Sequence, residues 1–412
     1  MTDRKTQDYV IEAGPMGPIG EGAALILRVN RNCPWNKCLF CSVYKEKNYS
    51  PRSLQEIKDD IDTVRRICDL LVSTSREIGH NGRIGKEVAR EAVRKHPEIY
   101  GEYPDNVTQE HWCALLSLNN VANWLMNGAE RVFLQDSNAL AIKPAMLAQV
   151  LQYLRGVFPT VNNITSYARS KTCEHRSIEE LRALKEAGLS WCFVGIESGC
   201  DEVLDYMKKG VNMKAHIEGS QKLMAAGINT AAFVMPGLSG NDKTMVKKHI
   251  SDTLTVLNQV RPNEVRVRSL AILEGTPLYD KWKSGEFLAA EEDQMVEEIR
   301  LLIEGIMFDC IFETLQMTNP LFTVKGTLSQ IKSAMLEKIN WYQNLSPVER
   351  ARFLFHRYVS GGYLDCVKAW GKYESQLKQM IEDAEASLTK VSEHALEKTG
   401  QAIFAIKSKG IP

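Results

Sequence analysis

Residues 177–199 read Ser-Ile-Glu-Glu-Leu-Arg-Ala-Leu-Lys-Glu-Ala-Gly-Leu-Ser-Trp-Cys-Phe-Val-Gly-Ile-Glu-Ser-Gly. From Ser177 the stretch is amphipathic with helical period, and Gly188 closes it, as glycine does at helix C-termini. The apolar run Trp191–Gly195 that follows is too short for a helix and reads as a buried strand. The parity of its side chains puts Cys192, Val194 and Ile196 on one apolar face, toward a helix layer, and leaves Gly195 and Glu197 pointing inward. The same helix–strand alternation extends outward in both directions. Apolar strands are expected at Ala23–Val29, Arg131–Gln135, Ile164–Ala168, Ile228–Val234 and Glu264–Arg268. Amphipathic stretches lie between them, including Met213–Gly227, again closed by glycine. Such alternation argues for βα units and a parallel sheet. Six repeats fit a partial (β/α)6 TIM-like barrel more naturally than an open doubly wound sheet, so the expected fold class is α/β.

Two regions break the rhythm. Residues 76–127 are too long for a connection and read as a helical insertion. The run Arg83, Lys86, Arg90, Arg94 and Lys95 within it reads as a solvated helix face. Beyond residue 286 no strand is expected, and helices are expected at Glu291–Ile306, Leu328–Leu345, Pro347–Val359 and Tyr363–Leu388. The organisation is therefore a lead over 1–22, a barrel over 23–285 with its insertion, and a helical region over 286–412. The Gly/Pro-rich lead Gly14–Gly20 precedes its strand, so it is an entry turn and not a dinucleotide fingerprint.

Composition sets limits. The chain has 412 residues, 44% apolar and 25% charged, with 51 basic against 51 acidic side chains. A polyanion binder is normally basic, so nucleic acid is not the expected partner. No apolar run approaches the roughly 18 residues that span a bilayer, and residues 1–10 carry no signal-peptide core. A soluble cytoplasmic protein is expected, with no membrane partner.

Of ten cysteines, seven are scattered and three stand within nine residues: Cys33, Cys38 and Cys41. Their spacing is C-x4-C-x2-C, directly after the first strand. Disulfides are not expected without a secretory signal. Three thiolates on a polar loop suit an iron–sulfur cube with one iron left open to an exogenous ligand. Structural zinc, the alternative, requires a distant fourth ligand.

With this loop and the strand ends taken together, the chain resembles the radical SAM superfamily, in the branch of oxygen-independent coproporphyrinogen oxidases and methylthiotransferases. The resemblance covers about residues 23–275. The usual spacing is C-x3-C-x2-C with an aromatic before the last cysteine. Phe40 fits, and the first gap is one residue longer. Four further segments resemble cofactor motifs, each at a strand end. Gln135, Asp136 and Ser137 take the place of the family's Gly-Gly-Glu, with Asp136 the acid for the methionine amino group. Arg169 is the partner for the methionine carboxylate. Glu197 and Ser198 lie in the best-matching stretch, with Glu197 toward the ribose hydroxyls. Met235, Pro236 and Gly237 resemble the glycine-rich turn near adenine. In parallel α/β folds ligands bind at the carboxyl ends of strands, and all five segments fall there.

The resemblance implies a [4Fe–4S] cluster on Cys33, Cys38 and Cys41, with S-adenosylmethionine on the fourth iron. It implies reductive cleavage to a 5′-deoxyadenosyl radical that abstracts hydrogen from a small-molecule or peptidyl substrate. A low-potential electron donor of flavodoxin or ferredoxin type is the implied partner. Two alternatives remain: a non-catalytic iron–sulfur electron carrier, and a radical enzyme that modifies RNA, supported only by the basic helix. Arg266 and Arg268 are expected on a solvated edge face, and Cys173 and Cys200 as idle thiols. No cobalamin domain fits before residue 23. No four-cysteine module or basic β-barrel is expected toward the C-terminus.

Overall fold

The computed structural model describes residues 4–15, 21–321, 323–388 and 393–410, so residues 16–20 of the lead lie outside the described residues. All six expected strands form: β1 Leu25–Arg28, β2 Arg131–Gln135, β3 Asn163–Ala168, β4 Leu189–Glu197, β5 Asn229–Val234 and β6 Glu264–Val267. The helices that connect them in turn are α1 Leu54–Glu77, with α2 Lys86–Lys95 and α3 Gln109–Met126 of the insertion, then α4 Pro144–Val157, α5 Ile178–Ala187, α6 Met213–Ala225 and α7 Lys243–Val260. Two short strands follow, β7 Ile311–Glu313 and β8 Lys325–Thr327. The strands order in the sheet as they do in the chain, β1 to β8. That is the strand order of a partial (β/α)6 barrel, extended by two strands. Among the described residues β1 and β8 are the edges, and the barrel is not closed.

Two compact units divide the chain, and β4 and α6 each run from one into the other. The first comprises residues 1–34, 47–193 and 222–229. Here β1 pairs with β2 and β2 with β3, all parallel, with Ile26 opposite Phe133 and Val132 opposite Ile164. Ser53 and Glu56 form a capping box on α1, which buries Ile57, Ile61, Val64, Ile67 and Leu71. Each such side chain contributes about 1.5–3 kcal/mol on leaving water. The decisive stretch folds as its sequence requires. Ser177 and Glu180 cap α5, and Gly188 ends it at φ +126°. A Cβ at Gly188 would lie 2.8 Å from Arg155 Cδ, so the position needs glycine for space as well as conformation. On the inward strand face Phe133 meets the Tyr167 ring at 5.1 Å and the Phe193 ring at 6.2 Å. In the insertion Arg94 pairs with Glu91 and Lys95 with Glu77 on exposed surface, the solvated face expected.

The second unit comprises residues 35–46, 194–221 and 230–412. Here β5·β6 and β6·β7 are parallel and β7·β8 is antiparallel. Strands therefore continue past residue 286, contrary to expectation. Each has only three residues, too few to show a period. Their presence also corrects Arg266. With β7 covering it, β6 is not an edge. Arg266 is 3% exposed, and its Nε lies 2.9 Å from Glu264 Oε1 and 3.6 Å from Glu313 Oε2. The C-terminal helices are α8 Glu292–Gly305, α9 Leu328–Gln343, α10 Pro347–Val359, α11 Tyr363–Ala369, α12 Ser375–Ser387 and α13 Glu393–Ser408. The single helix expected over 363–388 is two, parted at Gly371, whose φ of +68° no helix interior accommodates.

Candidate functional site

The first unit carries Cys33, Gln135, Asp136, Ser137 and Arg169. Asn30–Arg31 pairs with Ser50–Pro51 as a two-residue ribbon just before the cysteine loop. Asn32 then takes φ +65°, a conformation asparagine tolerates, and turns the chain into Cys33. Asp136 is wholly buried and holds this turn. Its Oδ2 accepts from Arg28 Nε at 2.9 Å, from Arg28 Nη2 at 2.6 Å and from the Asn32 N–H at 3.1 Å. Ser137 Oγ donates to the Asn32 carbonyl at 3.3 Å. Gln135 faces the N-terminal segment: its Oε1 accepts from the Gly14 N–H at 2.6 Å and its Nε2 donates to the Gly14 carbonyl at 3.1 Å. Arg169 is half-buried at the start of the short helix Ser170–Glu174, and its carbonyl accepts from the Thr172 N–H at 2.9 Å. Cys173 and Cys192 are buried, and burial pushes the Cys173 thiol up to about 12.

The second unit carries Cys38, Phe40, Cys41, Glu197, Ser198, Met235, Pro236 and Gly237. The Cys41 N–H donates to the Cys38 carbonyl at 3.4 Å, and Lys45 Nζ reaches the same carbonyl at 2.8 Å. Leu39 stitches this turn down: its N–H donates to the Met207 carbonyl at 3.0 Å, and its carbonyl accepts from the Leu278 N–H at 3.1 Å. Its side chain is buried with Met207, Met235 and Leu278, and Phe40 packs beside them. Trp35 Nε1 donates to the Lys208 carbonyl at 2.7 Å. The Trp35 ring covers Gly210, where a Cβ would come within 2.1 Å of it. All three loop cysteines are half-buried and outside any disulfide. A donor set of sulfur alone fits an iron–sulfur cube.

Glu197 ends β4 at φ +64°, a strained position for a side chain that is not glycine. It is 9% exposed. Its Oε1 lies 3.2 Å from Lys209 Nζ, which in turn sits 5.8 Å from the Phe40 ring centroid. Gly195 leaves room for this pair, because a Cβ there would lie 2.5 Å from Glu197 Oε1. Lys209 therefore links Phe40 to Glu197, which sequence reasoning missed. The two turns are joined as well: the Met235 N–H donates to the Glu197 carbonyl at 2.9 Å. Ser198 Oγ meets His249 Nδ1 at 2.8 Å. The Gly237 N–H donates to Glu298 Oε2 at 2.8 Å. Sequence reasoning missed His249 and Glu298 too. For Glu298 a signal existed: an acid on the apolar stripe of Met295, Ile299 and Leu302. Burial raises its carboxyl to about 7 against the Gln294 and Gly237 hydrogen bonds, and burial lowers His249 to about 4. Cys200 is buried, its Sγ lies 3.2 Å from Glu202 Oε2, and burial raises its thiol to about 11.

Residues 167–253, from the end of β3 through most of α7, match the family model described as Radical SAM superfamily. The tRNA uridine(34) acetyltransferase of Methanocaldococcus jannaschii is 26% identical over 143 residues, covering 32% of this chain and 26% of that protein. Its counterpart in Methanocaldococcus infernus is 29% identical over 126 residues, covering 31% and 23%. The chain thus spans about a quarter of the length of these curated relatives. Among solved structures, coproporphyrinogen III oxidase from Escherichia coli aligns over 93% of this chain and 89% of its own, with a TM-score of 0.40 and 11% identity. The matched segment holds Glu197, Ser198, Met235, Pro236 and Gly237, and over it the chain is similar to the radical SAM superfamily.

Proposed function

We propose that the protein is a radical SAM enzyme whose Cys33, Cys38 and Cys41 hold a [4Fe–4S] cluster and whose strand ends hold S-adenosylmethionine. The carrying observation is that Phe40, Lys209, Glu197 and Met235 form one connected group beside the Cys38–Cys41 turn. When bound, the cluster and S-adenosylmethionine supply reductive cleavage of the sulfonium to a 5′-deoxyadenosyl radical, which takes a hydrogen atom from the substrate. The protein's residues bind, orient and exclude water. Glu197, pre-set by its backbone and by Lys209, accepts from the ribose hydroxyls. Arg169 pairs with the methionine carboxylate. The Met235–Gly237 turn receives the adenine. Asp136 acts one step back, fixing Asn32 so that Cys33 leaves β1 in a set direction. Leu39 and Lys45 do the same for Cys38 and Cys41.

A cavity of about 530 Å3, bordered by Gly237, Met295, Leu354 and Lys407, supports a small organic substrate. The reductant is a flavodoxin- or ferredoxin-type donor. A reducing cytoplasmic setting suits ten cysteines of which none is in a disulfide. No helix among the described residues is long and apolar enough to cross a membrane. A second reading, modification of RNA, is favoured by the tRNA-modifying relatives. Its test is retention of tRNA that weakens with salt.

Anaerobically reconstituted protein given dithionite and S-adenosylmethionine is expected to release 5′-deoxyadenosine and methionine. Cys38→Ala loses both cluster and cleavage. Glu197→Ala keeps its iron and binds S-adenosylmethionine at least ten-fold more weakly. Full iron content in the Cys38→Ala protein removes the ligand assignment.

A further inference from the structure

Resting on the proposed function, we infer that His249 on α7 and Glu298 on α8 are positioning residues for S-adenosylmethionine, His249 anchoring the Glu197–Ser198 turn and Glu298 anchoring the Met235–Gly237 turn. Neither side chain is a partner a strand end requires, and both are costly to bury. His249 is 1% exposed and Glu298 0%. Their mutual approach, 3.7 Å between His249 Nε2 and Glu298 Oε2, is too long for a hydrogen bond. What offsets their burial is hydrogen bonding to the turns, by Ser198 Oγ for His249 and by the Gly237 N–H for Glu298.

Hydrogen bonds hold both turns. Ser198 Oγ accepts from the Cys200 N–H at 3.0 Å and meets His249 Nδ1 at 2.8 Å. The Met235 N–H donates to the Glu197 carbonyl at 2.9 Å. His249 thus holds the first turn through its serine. Glu298 secures the far end of the second. It takes the Gly237 N–H at 2.8 Å, while Gln294 Nε2 orients it by donating to Oε1 at 2.7 Å and holds the Gly240 carbonyl at 2.8 Å. Gly237 itself stands at φ +85°, a conformation open to glycine and strained for other residues. Burial favours uncharged forms of both groups, which suits two oriented dipoles better than an ion pair.

The test compares wild type, Ser198→Ala, His249→Leu, Glu298→Ala and Glu298→Gln. All are loaded with cluster, and S-adenosylmethionine binding is measured by equilibrium dialysis beside iron content and thermal midpoint. His249→Leu and Glu298→Ala are expected to raise Kd and KM for S-adenosylmethionine about ten-fold, with iron content and kcat for 5′-deoxyadenosine within two-fold. Glu298→Gln keeps an acceptor for the Gly237 N–H and loses no more than about three-fold. Ser198→Ala, which deletes one hydroxyl and keeps the backbone, loses about three-fold or more and decides the matter should the larger changes prevent folding. Wild-type affinity in Ser198→Ala and in whichever of the larger variants fold overturns the inference, as does Glu298→Gln falling as far as Glu298→Ala. A wild type that binds no S-adenosylmethionine defeats the proposed function itself, and that result is distinct because every variant then reads alike.

Discussion

Glu298 and His249 titrate in opposite senses, and their buried positions make this visible in stability. Glu298 is raised to about 7 from 4.5 by burial. Its contribution is whole below the unfolded value and is lost as pH rises through 7. His249 is lowered to about 4 from 6.5 by burial. Its contribution is whole above 6.5 and is lost as pH falls through 4. Each shift is worth on the order of 3 kcal/mol across its window. Between about pH 4.5 and 6.5 the two slopes cancel. Glu298→Gln removes one of them, so the variant is expected to lose stability on acidification from about pH 6.5 to 5 where wild type stays nearly level. Urea unfolding at several pH values reads the difference, and parallel profiles for the two proteins would contradict it. The residues legible from sequence were those whose type is scarce and chemistry-bearing in context: three clustered cysteines, and a glutamate at a strand end. Asp136 was legible in position only. Its engagement by Arg28, 108 residues away, is a long-range contact that no local pattern encodes.

At the scale of elements, local period made the six longer strands and most helices readable, and it failed where an element is too short to repeat its period. β7 and β8 have three residues each, and missing them turned Arg266 into an expected surface residue. In the structure β7 closes over β6 and leaves Arg266 among Glu264, Glu313 and Lys325. Lys325 Nζ reaches both acids at 3.0 Å from the edge strand β8, the position where a lysine also discourages further strand pairing. Burial raises both carboxyls, and Arg266 with Lys325 offsets this enough to hold Glu264 below its ordinary value. Arg266→Met would leave two buried acids short of a cation and is expected to cost about 3–5 kcal/mol in urea unfolding. Lys325→Met, at a half-exposed site, is expected to cost under about 1 kcal/mol. Equal costs for the two would mean that the cluster is solvated.

At the scale of the molecule, an alternating βα order was sufficient to expect an α/β fold. It was insufficient to say where one folding unit stops. We propose a barrel over 23–285 followed by helices over 286–412, yet α8 supplies Glu298 to the Gly237 turn and β7 supplies Glu313 to Arg266. Residues 230–412 also cluster as one compact body with 194–221. Cutting the chain after residue 285 would therefore strip β6 of its neighbour, strand Arg266 without Glu313 and release the Gly237 N–H into apolar surroundings. Each of these is a buried polar group losing its partner, at about 1–3 kcal/mol apiece, against a total stability of about 5–15 kcal/mol. Residues 1–285 alone are expected to lose near-UV circular dichroism while keeping far-UV signal, and to bind the dye ANS, as an expanded state with exposed apolar surface does. A sharp cooperative melt with native near-UV signal from that fragment would show that the helical region is an appendage and that its glutamates are dispensable to the core.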